Sequence, residues 1–173
     1  MKNQSIIIAP YDAAWPELFN KEKKLIEHAL GKNALAIEHI GSTAVQGLAA
    51  KPIIDIMIGV ADLSGADKHA LKPLIELGYE YVPEYEVQAP DRRYFRKRTI
   101  AGVTQGYNIH MVVLDSPFFK SHLAFRNYLR THPDVVLEYA ALKKKLAAQH
   151  TDTNEYAQAK SAFIRAAHDK LSS

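Results

Sequence analysis

A glycine followed by two hydroxyl residues, Gly41, Ser42 and Thr43, precedes Asp55 in the stretch EHIGSTAVQGLAAKPIIDIMIGV. A turn of this composition after a strand presents several backbone N–H groups, and Ser42 or Thr43 can cap the short helical turn that follows. Such N–H groups suit a phosphate group. An ordinary capped turn without a ligand is the alternative explanation. The motif therefore indicates either a phosphate-binding turn or a structural one.

Asp55 lies inside the apolar run IIDIMIGV at 53–60, which has the composition of an interior strand. An unpaired ionised carboxylate in such a strand is costly, so Asp55 must have a compensating partner. The candidates are Lys51, an arginine on another strand, a bound metal ion, or exposure at the end of the sheet; a structural salt bridge remains an alternative to a functional site. Side chains alternate along a strand, so Asp55 and Met57 share a face, and Met57 stands where a second carboxylate would have to be.

Histidines form a second group of candidates. His110 is a polar residue within an apolar strand, where it shares a face with Asn108. It is either a hydrogen-bonded core histidine or a functional group. His39 and Glu38, on opposite faces of another strand, could join Asp55 in a metal site, but residues so far apart along the chain are a weak indication of one.

Basic residues are concentrated in the run RRYFRKR at 92–98, where aromatic residues are interleaved. The guanidinium groups could face phosphate groups or RNA. Charges on an edge strand also prevent association between sheets, which is the simpler explanation. The run KKK at 143–145 is most simply a solvated helix face, and Lys160 in the last helix is equally ambiguous.

The elements that must position these residues follow from hydrophobic periodicity and turn signals. Helices are predicted from Asp12 to Gly31, over 67–77 with a kink or late start at Pro73, and throughout the chain beyond Pro117. Thr131 is expected to cap the second of these C-terminal helices, and a final helix to begin near Asp152 or Thr153. Strands are predicted at 34–40, 53–60, 79–82, 92–98 and 106–114, the last two joined by a turn near Ala101 and Gly102.

This order predicts an α/β (α+β) protein with a mixed sheet of roughly five strands flanked by helices. The chain of 173 residues is expected to form one domain, 1–173, with a sheet core at about 34–114 and C-terminal helices at about 117–171. A net charge of +3 is too small to indicate a nucleic-acid partner, although it suits an anionic ligand. The chain has no cysteine, which excludes thiolate chemistry and disulfides. It also lacks an apolar run long enough for a signal peptide or a membrane span, so we expect a cytoplasmic protein without a membrane partner.

Five blocks of the sequence together resemble the GrpB family. They are HIGSTAVQGLAAKPIIDI, the strand NIHMVV, and the C-terminal series FRNYLRTHP, YAALKKKLA and YAQAKSAFI. The resemblance extends from YDAAWPELF to the last helix. It implies a fold like that of the nucleotidyltransferase superfamily, which is shared with DNA polymerase beta.

The resemblance also implies roles for individual residues. Gly41 and Ser42 match the turn that holds nucleotide phosphates, and Asp55 matches the first of the carboxylates that bind Mg²⁺ or Mn²⁺. The second carboxylate position is Met57, whose thioether is no ligand for a hard cation, and the third is Asn108 or His110. These departures count against the usual two-metal transfer reaction.

Two hypotheses about function therefore remain open. In the first, the protein binds a nucleotide or another phosphorylated small molecule at the turn from Gly41 to Thr43 and transfers a nucleotidyl group. Asp55 then binds the metal ion, His110 is a catalytic base or ligand, and Lys51 or Arg93 supplies positive charge. In the second, the site has lost catalytic activity and the chain is a ligand-binding or protein-interaction domain.

Overall fold

The computed structural model describes residues 6–98 and 106–171. Its helices are α1 (Trp15–Leu30), α2 (Leu63–His69), α3 (Leu71–Glu76), α4 (Pro117–Thr131), α5 (Pro133–Gln149), α6 (Thr153–Ala159) and α7 (Ser161–Leu171). Its strands are β1 (Ala36–Ile40), β2 (Ile53–Val60), β3 (Glu80–Tyr81), β4 (Arg92–Arg98) and β5 (Gly106–Val113). None of the helices in the described ranges combines the length and the apolar character that a membrane crossing requires.

The five strands form one mixed sheet in the order β1-β2-β5-β4-β3. The pairing of β2 with β5 is parallel, and the other three pairings are antiparallel. The predicted mixed sheet with flanking helices is therefore confirmed. The turn expected near Ala101 and Gly102 lies outside the described residues.

The two faces of the sheet carry different kinds of side chain. One face is apolar and packs against α1, α2 and α3; its buried residues include Ile54, Ile56, Ile58, Phe95, Ile109 and Met111. On the other face, Met57 and Val112 pack with Phe119 of α4. A separate apolar cluster joins the loop after β1 to α4, α5 and α7. Asp55 lies on the second face, where the C-terminal helices approach it.

Three details of the helices differ from the prediction. The segment expected to be one helix at 67–77 forms two helices, α2 and α3. The first of them begins earlier than expected because the Asp62 carboxylate caps it, accepting a 2.6 Å hydrogen bond from the Gly65 N–H. Pro73 then falls in the first turn of α3, where its missing N–H costs no helical hydrogen bond. The predicted final helix is likewise divided, into α6 and α7.

The third difference concerns Thr131, which does not cap the next helix. It is the last residue of α4, and its hydroxyl donates to the carbonyl oxygens of Asn127 and Tyr128 at 3.2 and 3.1 Å. The N-cap of α5 is His132, whose side chain makes no capping bond. Thr131 is thus part of α4, one residue before the capping position of α5, and its hydroxyl bonds back to its own helix.

Candidate functional site

A cavity of about 590 Å³ lies between the Asp55 face of the sheet and the C-terminal helices. The sheet side is lined by residues of the turn after β1 and of β2, β4 and β5, among them Gly41, Ser42, Thr43, Lys51, Asp55, Asn108 and His110. The helical side is lined by residues of α4 to α7, among them His122, Arg126, Tyr139, Lys143, Tyr156 and Lys160. The structure therefore brings the predicted phosphate-binding residues together with Asp55 and His110, but Arg93 and the suggested metal ligands Glu38 and His39 do not line this cavity.

Asp55 occupies the centre of the sheet side. Register places it opposite Asn108 on β5, and the Asn108 side-chain N–H donates to Asp55 Oδ1 at 2.8 Å. His110 Nε2 lies 3.6 Å from the same oxygen. The Asp55 side chain keeps 29% of its surface exposed. Neighbouring side chains therefore satisfy only part of the hydrogen-bonding capacity of the carboxylate, which remains accessible from the cavity.

Two opposing effects set the pKa of Asp55. Burial acts to raise this pKa, because it disfavours the charged form. The interactions with His110 and Asn108, together with the positive charge of Lys160, outweigh burial and hold the pKa below its ordinary value. Asp55 is therefore an anion at neutral pH.

The turn after β1 approaches Asp55 closely because it contains a glycine. Gly41 has a φ of +71° and a ψ of −171°, a conformation that side chains other than that of glycine rarely tolerate. A Cβ at Gly41 would lie 2.6 Å from Asp55 Oδ2. Gly41 is thus required both by the backbone conformation and by the contact with the carboxylate.

Ser42 and Thr43 do not cap the helical turn as the sequence suggested. The cap position is Gly41, and no side-chain bond closes it. The Thr43 hydroxyl donates to the Ile53 carbonyl at 3.3 Å and contacts His39 Nε2 at 2.9 Å. Because Thr43 is only 1% exposed, its hydroxyl serves the fold rather than a ligand.

Helix α4 holds both ends of this turn through two arginines. Arg126 donates to the His39 carbonyl at 2.9 Å and to the Glu38 carboxylate at 2.7 Å. One helical turn later, Arg130 donates twice to the Ala44 carbonyl, at 3.0 and 2.8 Å. The carbonyls on either side of the turn are therefore anchored to one helix.

His110 is oriented by Arg92, which the sequence placed in the basic run at 92–98 but did not connect with His110. Arg92 Nη1 lies 3.2 Å from His110 Nδ1, and because arginine can only donate, Nδ1 must be the acceptor. The hydrogen-bond network thus assigns the ring proton to Nε2, which faces Asp55. In this tautomer the N–H group of His110 points toward Asp55, 3.6 Å away, and its other ring nitrogen is occupied by Arg92.

Glu38 and Met57 share a face of the sheet with Asp55 but do not complete a metal site. Met57 is fully buried among Ile40, Val112 and Phe119, so no carboxylate could be exposed from its position. Register places Glu38 beside Met57, but Arg126 binds its carboxylate. Within residues 6–98 and 106–171, no three histidine, cysteine or acidic side chains are grouped so as to hold a metal ion.

His39 lies on the opposite face of the sheet from Asp55. It pairs with Ile56 in the register of β1 and β2, and its ring stacks on Phe19 with 4.7 Å between centroids. Burial lowers its pKa to about 4; the charge of Asp55 opposes this shift, and the charges of Arg130 and Arg126 add to it. His39 is therefore a neutral core histidine, which corrects its suggested role in a metal site.

Arg93 does not line the cavity, because β4 alternates its side chains between the two faces. Arg93 contacts Asp67 with two hydrogen bonds of 2.7 and 2.9 Å, and Glu86 at 3.3 Å. Arg96 and Arg98 are the residues of β4 that reach the cavity instead. Arg93 is therefore not placed to contact a ligand in this cavity, which corrects the role expected for it.

Three lysines line the cavity, and two of them were missed or left ambiguous by the sequence. Lys143 is only 2% exposed and donates to the Ala49 carbonyl, so the prediction of a solvated face is wrong for this residue. Its spacing from Val136, Tyr139 and Leu146 places it in the apolar stripe of α5, a signal that could have revealed its burial.

The lysines carry lowered pKa values for a shared reason. Burial, followed by the charge of Lys160, lowers the pKa of Lys143 to about 7. Burial and the charges of Lys160 and Arg98 lower the pKa of Lys51 to about 8, although Asp55 opposes the shift. Burial also lowers the pKa of Lys160. The charged form of each lysine is therefore less favoured over the neutral amine here than it is in water.

Comparison with known proteins supports one family over almost the whole chain. The family model described as "GrpB protein" matches residues 5–170. The UPF0157 protein YqkA of Bacillus subtilis is 38% identical over 167 residues, which make up 96% of this chain but only 47% of YqkA. The chain thus spans about half the length of YqkA. The glutamate-rich protein GrpB of Alkalihalophilus pseudofirmus is 35% identical, with 92% of this chain and 91% of that protein covered.

A solved structure agrees with these matches in fold as well as in sequence. The crystal structure of the conserved protein GrpB from Enterococcus faecalis superposes with a TM-score of 0.81 at 37% identity. The match covers 95% of this chain and 96% of that chain. The chain belongs to the GrpB family.

Proposed function

We propose that the protein binds a nucleotide or another phosphorylated small molecule in the cavity beside Asp55. The observation that carries the proposal is the charge of the lining: six lysines and arginines surround Asp55, which is the one carboxylate among the described residues that line it. Phosphate groups are the common biological anions that arginine and lysine bind in such pockets. The cavity volume of about 590 Å³ falls in the range of small-molecule sites.

Asp55 suits a single Mg²⁺ or Mn²⁺ ion bound together with the ligand's phosphates. Mg²⁺ commonly takes one or two carboxylates and completes its shell with water and phosphate oxygens, so one accessible anionic side chain is enough. A pair of ions does not fit, because Met57 is buried and Glu38 is held by Arg126. Nucleotidyl transfer by two metal ions is therefore not part of the proposal.

The neighbouring residues have distinct roles in this proposal. The Asn108 N–H fixes one carboxylate oxygen of Asp55, and Gly41 allows the backbone to approach the other. Arg92 keeps the His110 proton on Nε2, so His110 presents an N–H group to the ionised carboxylate at 3.6 Å and stabilises it. When bound, the divalent ion would neutralise phosphate charge beside Asp55.

The proposal predicts a ligand-dependent rise in thermal stability that requires Asp55. A ligand at one hundred times its Kd stabilises a protein by about 2.7 kcal/mol, which for a domain of this size raises Tm by roughly 5 to 10 °C. We expect such a rise for the wild type with a nucleoside triphosphate and Mg²⁺ or Mn²⁺. The part that depends on the metal ion should disappear in Asp55→Asn, because the amide binds a cation far more weakly.

Asp67→Asn is the matched control, since Asp67 pairs with Arg93 on the opposite face. The ligand-induced rise in Tm of this variant should equal that of the wild type, even if the two proteins differ in Tm without ligand. Absence of any rise in the wild type, over a panel of nucleotides and sugar phosphates with and without metal ions, would refute the proposal. A loss of folding stability in Asp55→Asn with no effect on ligand binding would instead support a structural carboxylate in a degenerate site.

A further inference from the structure

Three lysines from separate chain segments line the cavity, Lys51 on its sheet side and the other two on its helical side. We call Lys51, Lys143 and Lys160 the lysine cluster. Lys51 Nζ and Lys160 Nζ lie over the Tyr156 ring, 4.7 and 4.5 Å from its centroid. Lys143 Nζ lies 4.9 Å from the centroid of Tyr139. Each of the three ammonium groups is therefore in contact with an aromatic ring that lines the cavity.

The protein supplies little counter-charge to the lysine cluster: burial lowers the pKa values of Lys51 and Lys160, although the charge of Asp55 favours their ammonium forms. None of its members takes part in an ion pair within the described ranges 6–98 and 106–171. Lys143 is almost completely buried, and its one hydrogen bond goes to the neutral Ala49 carbonyl. Buried ammonium groups near one another are unfavourable unless an anion accompanies them. A methionine or leucine at position 143 would therefore stabilise the folded protein more than lysine does.

The size of the excess charge indicates what kind of anion would fit. Arg96 and Arg126 of the cavity are already paired, with Glu80 and Glu38. The lysine cluster and Arg98 make four cations outside any described ion pair, against the single carboxylate of Asp55. When all four are ionised, the excess of about three positive charges matches a polyphosphate chain better than a monophosphate.

We propose that the lysine cluster is a subsite for the polyphosphate end of the ligand and that it binds this end without a metal ion. The proposal deepens the function proposed above and rests on it. The Gly41 turn and Asp55 form the sheet side of the cavity, whereas Lys143 lies on α5 and Lys160 on the turn between α6 and α7. In this proposal the phosphate-binding site expected at the turn extends across the cavity to Lys143 and Lys160. Lys51, on the loop between the turn and β2, completes it.

Isothermal titration calorimetry with inorganic tripolyphosphate in a buffer containing EDTA tests the proposal. The wild type should bind tripolyphosphate at least tenfold more tightly than it binds inorganic phosphate. Lys51→Met and Lys160→Met should each weaken tripolyphosphate binding by tenfold or more, since each removes a charge-assisted hydrogen bond. Lys160→Arg should retain most of the affinity. Lys144→Met is the control on the exposed side of α5 and should bind like the wild type.

Four results would overturn the proposal. One is an unchanged affinity in both Lys51→Met and Lys160→Met, with folding checked by circular dichroism. Another is equal affinity for phosphate and tripolyphosphate, and a third is an equal loss in Lys144→Met, which would indicate a diffuse surface effect. The fourth is binding of a nucleoside triphosphate with Mg²⁺ but no binding of tripolyphosphate in EDTA; the function proposed above would then stand alone. Failure of every phosphorylated probe, with and without Mg²⁺, would refute both.

Discussion

The replacement of Lys143 by methionine should stabilise the unliganded protein. Lys143 is 2% exposed, and its pKa is lowered from 10.5 to about 7. Folding therefore weakens proton binding at this amine, which costs free energy at any pH where the unfolded chain keeps the ammonium charged. Methionine has a similar length and no charge, so it can occupy the same place in the apolar stripe of α5 without that cost.

The magnitude follows from the difference between the two pKa values. Each unit corresponds to roughly 1.4 kcal/mol, so the cost at pH 7 is about 4 kcal/mol. The methionine variant loses the hydrogen bond to the Ala49 carbonyl, which contributes about 1 kcal/mol. We therefore expect the free energy of unfolding to rise by about 3 kcal/mol at pH 7, and Tm by roughly 6 to 12 °C.

The same linkage fixes how this difference changes with pH. Between the native value of about 7 and the unfolded value of 10.5, the unfolded chain binds more protons at Lys143 than the native protein does. The Lys143 contribution makes the stability of the wild type rise with pH across this window, and the variant lacks that contribution. The charge cost falls to about 1 kcal/mol at pH 9.5, so the advantage of the variant should almost vanish there.

Urea unfolding followed by circular dichroism at pH 7 and pH 9.5 measures both effects. Lys144→Met, which removes an exposed lysine from the next position, is the control and should change stability by less than about 0.5 kcal/mol. If Lys143→Met is less stable than the wild type at pH 7, or if its advantage is the same at both pH values, the ammonium is not destabilised as reasoned. Weaker tripolyphosphate binding in the more stable variant would show that the lysine serves a ligand.

Two further predictions concern the turn and the core histidine. Gly41→Ala should reduce the free energy of unfolding by at least about 2 kcal/mol, because it combines a left-handed φ with a Cβ placed 2.6 Å from Asp55 Oδ2. Gly47→Ala, which has a φ of +79° but no atom within 4 Å of the added Cβ, should lose less in the same urea titration, and equal losses would contradict the role of the Asp55 contact. The second prediction is that the free energy of unfolding falls between pH 6.5 and pH 4. His39 has a pKa of about 4 in the native protein and 6.5 in the unfolded chain, so the unfolded chain takes up the proton first as the pH falls. His39→Gln should remove about 3 kcal/mol of this fall and leave the part due to His122, whose pKa is also about 4; a pH profile like that of the wild type would count against the assignment.

The alternation of side chains along the strands was readable from the sequence, but its consequences for β4 were not. Periodicity correctly placed Asn108 and His110 on one face, and the structure puts that face beside Asp55. Which face of β4 joins them depends on its register with β5, where Tyr94 lies opposite His110. That register is a long-range property, so the sequence could not distinguish Arg93 from its neighbours on the strand.

The helical half of the cavity was the part that sequence reasoning did not recover. The C-terminal helices were predicted, yet nothing local shows that α5 and α6 approach the sheet at Asp55. Lys143 and Lys160 belong to the site only because of this packing. Lys143 was also misassigned because a run of three lysines suggests solvent exposure, although its helical phase with Tyr139 and Leu146 indicates burial.

The anchoring of the glycine turn by Arg126 and Arg130 has a mechanical consequence. The two side chains project from one helix and donate hydrogen bonds to the carbonyls of His39 and Ala44, so α4 fixes the turn at both of its ends. The turn cannot open or change its angle to the sheet unless the helix moves with it. Any motion that admits a ligand past Gly41 should therefore be a rigid displacement of turn and helix together, and loosening either arginine would let the turn move alone.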